Sequence, residues 1–105
     1  MLRQKSWDQY EIALLIECYV NVTSQGKELE VELIELSENL RSMAVHQGET
    51  IDETYRNLNG MHWQYQFIKS AFNNGTVGSR TPPKLFVEMV QLFLSDKQKF
   101  DSILM

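Results

Sequence analysis

Apolar residues recur along this chain at three- and four-residue spacing, and no run alternates with a period of two. That period belongs to amphipathic helices, not to half-buried strands. From Trp7 to about Val22 the apolar positions are Trp7, Tyr10, Leu14, Leu15, Cys18, Tyr19 and Val22, with Ile12, Ile16 and Val20 on another side. The first helix is therefore expected to be buried on more than one side. Ser6-Trp7-Asp8-Gln9 fits an S-x-x-Q capping box at its start, and residues 21–26 read as the loop after it. A second helix is predicted from Lys27 to about Val45. Its stripe is narrow: Leu29, Leu33, Leu36, Leu40, Met43 and Ala44, with Glu28, Glu32, Glu35 and Glu38 off it. Gly48 is the expected left-handed exit.

Thr50-Ile51-Asp52-Glu53 matches a second capping box and predicts a third helix from Ile51 to about Phe72. Its stripe is Ile51, Tyr55, Leu58, Met61, Tyr65, Ile68 and Phe72, with a kink or break expected at Gly60. Residues 73–80 are polar and glycine-bearing, as in a surface loop. Thr81-Pro82 then reads as N-cap and first turn of a fourth helix carrying Phe86, Met89, Val90 and Phe93. Ser95-Asp96-Lys97-Gln98 opens a short last helix with Phe100, Ile103 and Leu104. The expected fold is all-α and forms one domain over 1–105. A three-helix, helix-turn-helix-like core covers about 6–72, and a C-terminal helix or helix pair covers about 81–105. The apolar end Ser102-Ile103-Leu104-Met105 suggests an N-terminal module of a longer protein; the plainer reading tucks that end into the core.

Composition narrows the function. A chain of 105 residues has no room for a two-domain enzyme, and its single cysteine excludes an internal disulfide and a cysteine-based zinc site. One cysteine suits a reducing compartment, so a cytoplasmic location is expected, and no apolar run is long enough to cross a membrane. His46 and His62 lie far apart without ligand-spaced partners, so no metal is expected. Cys18 reads as a core residue, and Glu49, Asp52 and Glu53 sit where a helix start explains them. Gly75 and Gly78 lack the Lys-Ser/Thr of a phosphate loop. The expectation is a non-enzymatic chain with no catalytic residues, no cofactor and no small-molecule substrate.

Charge adds the one distinctive feature. The net charge is −4, yet residues 54–84 hold no acid and carry +4 through Arg56, Lys69, Arg80 and Lys84, which leaves −8 on the rest. Lys27 through Arg41 alone holds five glutamates against two bases. A basic third helix bearing Arg and Asn side chains suits a major groove, where forked donors and acceptors match base edges.

Trp7 opening a leucine-rich first helix, then Leu36-Ser37-Glu38-Asn39-Leu40-Arg41 and Tyr55-Arg56-Asn57-Leu58, resembles the Myb/SANT-like, trihelix branch of helix-turn-helix domains. The stretches Trp7–Tyr19 and Ile51–Met61 are also similar to small helical modules attached to bacterial restriction or defence proteins of HNH nuclease type. The resemblance covers about 6–72. It implies a third helix in the major groove of duplex DNA, with Arg56, Asn57 and Asn59 near bases. Lys69, Arg80 and Lys84 would then sit on phosphates. The alternative is a protein-interaction or self-association module using Trp63, Phe67 and the C-terminal helix, with the glutamates of the second helix on its rim. A plain solvated face for the charges, and a core position for Trp63 and Phe67 beneath the fourth helix, stand beside both.

Overall fold

Asp8, not Ser6, starts the first helix. In the computed structural model, which describes residues 6–73 and 81–105, Asp8 Oδ1 accepts from the Glu11 amide at 2.8 Å. Glu11 Oε1 accepts from the Asp8 amide at 3.1 Å. This closes a D-x-x-E capping box two residues beyond the expected S-x-x-Q, and α1 runs Gln9–Gln25. The expected loop at 21–26 is mostly the last turn of this helix. The helix stops at Gly26, whose φ of +70° is the left-handed conformation that glycine adopts without strain.

The same shift recurs downstream. Helix α2 spans Leu29–His46, and Gly48 with φ +83° turns the chain out of it as expected. The Thr50–Glu53 box does not form. Asp52 Oδ1 instead accepts from the amides of Thr54 (3.0 Å) and Tyr55 (3.1 Å) and from Thr54 Oγ1 (2.7 Å), which closes a turn in place of a helix. Those hydrogen bonds from Thr54 hold the Asp52 carboxyl below the ordinary aspartate range. Helix α3 begins only at Leu58 and runs Leu58–Phe72, capped by Asn57, whose Oδ1 accepts from the Gly60 amide at 2.8 Å. Gly60 thus lies in the first turn and breaks nothing; a Cβ there would sit 3.2 Å from the capping oxygen.

Helix α4 covers Lys84–Ser95 with Pro83, not Thr81, at its N-cap. Asp96 rather than Ser95 caps α5, Lys97–Ile103, by accepting from the Lys99 amide at 3.1 Å. Ser95 Oγ donates back to the Gln91 carbonyl of its own helix at 2.7 Å.

The described residues form an all-α fold with α1 at its centre, where it packs against each of the other four helices. Ile12, Ala13, Leu15 and Ile16 are fully buried, so the two-sided apolar pattern of the first helix is what its position requires. Contacts fix the directions. Asn21 meets Glu32 and Ser37 meets the Arg56 carbonyl, so α1, α2 and α3 run up, down and up. Phe67 packs on Phe86 and Phe72 on Phe93, so α4 runs in the same sense as α3. One aromatic seam ties these layers: Tyr65 to Tyr19 at 5.7 Å, Tyr19 stacked on Phe72 at 4.5 Å, Phe93 edge-on to Phe72, and Phe100 edge-on to Phe93 at 5.1 Å.

Phe100 ends that seam and is fully buried although α5 is short. Phe100→Ala is expected to destabilise the fold by about 3–5 kcal/mol in urea unfolding. Leu94→Ala, at a position 65 % exposed, is expected to change stability by less than about 0.5 kcal/mol.

Candidate nucleic-acid or protein interface

The outward face of α3 carries Asn59, Trp63, Gln66 and Lys69, spaced three or four residues apart and all exposed. Its inward face is Met61, Tyr65 and Ile68. Helix α2 borders one side of it, where His62 Nε2 lies against the Glu30 carboxylate. Helix α4 covers the other side through Phe67, which sits edge-on to Phe86 at 5.8 Å.

Arg56 is not on this face. It lies before the helix, with φ +46°, and its side chain is 2 % exposed. Arg56 Nε donates to Glu11 Oε2 at 2.9 Å and Nη2 donates to Glu11 Oε1 at 3.1 Å, a bidentate pair across 45 residues of chain. The guanidinium also lies 4.8 Å from the centre of the Trp7 ring and 4.6 Å from that of Tyr55. Its carbonyl accepts from Ser37 Oγ at 2.6 Å. The expected base contact through Arg56 is therefore corrected: the charge is internal and neutralised by Glu11.

Asn57 is half-buried, and its side-chain oxygen is engaged as the α3 cap. Asn59 does stand outward. Lys69 is exposed in the last turn of α3, where a cation suits the helix dipole. Lys84 is 90 % exposed and 3.9 Å from Glu88, a surface pair of little energetic weight. Arg80 lies outside the described residues.

Trp63 and Phe67, expected to share one fate, part company. Phe67 belongs to the α3–α4 contact, while Trp63 is 46 % exposed.

Two further features bear on chemistry. A hollow of about 400 Å³ lies between the start of α1 and the end of α2, walled by Tyr10, Met43, Gln47, Glu49 and Tyr55. The carboxylates of Asp8 and Glu11 also reach it, but they are held by the helix cap and by Arg56. Burial pushes the Cys18 thiol up to about 12, with Glu32 adding to the shift, so thiolate is scarce at neutral pH. Among the described residues no three His, Cys, Asp or Glu side chains gather as metal ligands, and no helix is long and apolar enough to cross a membrane.

The reading of the sequence missed Val31 and Ile34, exposed apolar residues on α2 beside Glu30 and Glu38. The signal was present: both fall off the stripe of Leu29, Leu33, Leu36 and Leu40. Comparison of the chain with protein-family profiles, curated protein sequences and solved structures finds no match.

Three outcomes follow from this geometry. Arg56→Ala is expected to cost about 3–5 kcal/mol, because it strands the buried Glu11 carboxylate. In that background Glu11→Ala is expected to cost far less than it does alone, which a double-mutant cycle in urea measures. Cys18 is expected to react with a thiol reagent only at the rate of global unfolding, and a fast native-state reaction would contradict its burial.

Proposed function

We propose that this chain is a helical protein-interaction module that meets its partner through the outward face of α3, with Trp63 as the anchor. The observation that carries this reading is the half-exposed tryptophan, 46 % accessible in the middle of an otherwise polar helix face. Tryptophan is enriched among the few residues that dominate binding energy, and covering the exposed part of an indole is favourable. Phe67 is left out of the interface because Phe86 covers it, and Phe100 because the core of the bundle does.

Electrostatics supports the same reading over base recognition. Binding to duplex DNA rests on cations set against phosphates. Of the four cations in residues 54–84, Arg56 is paired internally and Lys84 stands near Glu88. Glu30 of α2, meanwhile, lies against α3 at His62.

A photo-crosslinking phenylalanine placed at position 63 tests the proposal, with the same probe at exposed Gln91 on α4 as control. The expected result is a discrete protein adduct at 63 and none at 91. Once identified by mass spectrometry and purified, that protein is expected to bind the wild-type chain and to lose about tenfold or more in affinity on Trp63→Ala. Trp63→Ala is expected to leave the fold within about 1 kcal/mol of wild type. Retardation of duplex DNA at low salt, weakening steeply as salt rises, would overturn the reading in favour of a nucleic-acid partner.

A further inference from the structure

The surface beside α3 has a chemistry of its own. Between α2 and the start of α3 lies an open hollow of about 280 Å³ whose apolar wall is Ile34 and Leu58 and whose rim carries Glu38 and Glu53. Ile34 is 41 % exposed and its neighbour Val31 46 %. Glu30, whose carboxylate also meets His62 of α3, Ile34 and Glu38 follow one another at four-residue intervals along α2. At 1.5 Å rise per residue the two glutamates stand about 12 Å apart along the helix axis, with the isoleucine midway. Arg41, also on the wall, donates to the carbonyls of Asp52 and Tyr55 and keeps its charge there, so against Glu38 and Glu53 the hollow holds one negative charge in excess.

We infer that this hollow takes a basic amphipathic helix of the partner, with two lysine or arginine side chains two turns apart meeting Glu30 and Glu38 and an aliphatic side chain between them seated on Ile34 and Leu58. The inference rests on the proposed function and names the partner's chemistry. Charge complementarity selects the occupant. An α-helix repeats the same spacing as α2, so bases two turns apart match the two glutamates without distortion. A second copy of this chain docked face to face would set Glu30 and Glu38 against like charges, and DNA phosphates would meet the same repulsion.

The test uses two synthetic helical peptides, each with a central leucine flanked two turns apart by either lysines or glutamates, and follows binding by fluorescence anisotropy at low salt. The wild-type chain is expected to bind the lysine peptide and not the glutamate peptide. Glu30→Lys with Glu38→Lys is expected to invert that preference, and Ile34→Ser to weaken the lysine peptide by about tenfold or more. Circular dichroism confirms that each variant stays helical. Equal binding of both peptides overturns the inference, as does a lysine peptide that binds the charge-reversed chain as tightly as wild type, or that binds neither. If the peptides fail while position 63 still crosslinks a protein, the inference falls and the Trp63 reading stands. If the charge reversal acts as expected but Trp63→Ala changes nothing, the inference stands and the Trp63 reading falls.

Discussion

The buried pair of Arg56 and Glu11 is the constraint on which the rest of the architecture depends. Glu11 serves two structures at once: its carboxylate closes the capping box of α1 and receives the guanidinium of Arg56. Arg56 in turn gives its carbonyl to Ser37 of α2 and lies against the rings of Trp7 and Tyr55. A single residue thereby joins the start of α1, the middle of α2 and the approach to α3. The backbone shows the cost, since a non-glycine residue at φ +46° carries strain of about 1–3 kcal/mol. The surrounding contacts offset that strain. A buried pair adds little net energy over a well-packed apolar substitute, but losing one partner leaves an uncompensated charge, so the pair acts mainly as a requirement on geometry.

That requirement explains why α3 starts at Leu58 and not at Ile51. Residues 47–57 are gathered from both sides. Arg41 donates to the carbonyls of Asp52 and Tyr55, Asp52 closes its own turn, and Asn57 caps the helix that follows. The connection is longer than the short turn of a helix-turn-helix, and it is held by side chains, not by turn length alone. Because it is held, the relation of the start of α3 to α2 is set by two contacts, Ser37 on the Arg56 carbonyl before the helix and Glu30 against His62 in its second turn.

Much of this was legible in the sequence, and the reasons differ by residue. The number and order of the helices follow from three- and four-residue periodicity, and burial of the two-sided first helix follows from Ile12 and Ile16 standing opposite Leu14. One mechanism displaces two of the helix starts: Ser6 and Ser95 resemble caps, but Asp8 and Asp96, two and one residues on, hold the amides. Serine, aspartate and asparagine cap about equally well, so a window containing both leaves the choice to the packing of the helix. Phe67 and Trp63, four residues apart, could not be separated without knowing where α4 lies. The role of Arg56 was hidden for a stronger reason: its partner is 45 residues away, and no local pattern marks that distance.

Charge segregation along a chain is not charge segregation in space. Residues 54–84 lack acids, and the linear count makes them a basic segment. Folding removes Arg56 to the interior against Glu11 and brings Glu30, from the acid-rich second helix, against His62 on the helix that follows Arg56. At physiological ionic strength a surface charge is felt over about 8 Å, so the field at the start of α3 is set by its neighbours across the groove and not by its neighbours in sequence. Those neighbours are the carboxylates of Glu38 and Glu53, the guanidinium of Arg41 and the aliphatic side chains of Ile34 and Leu58. The local field is therefore a property of the fold, and neither the +4 of residues 54–84 nor the net charge of −4 gives its sign at any one place on the surface.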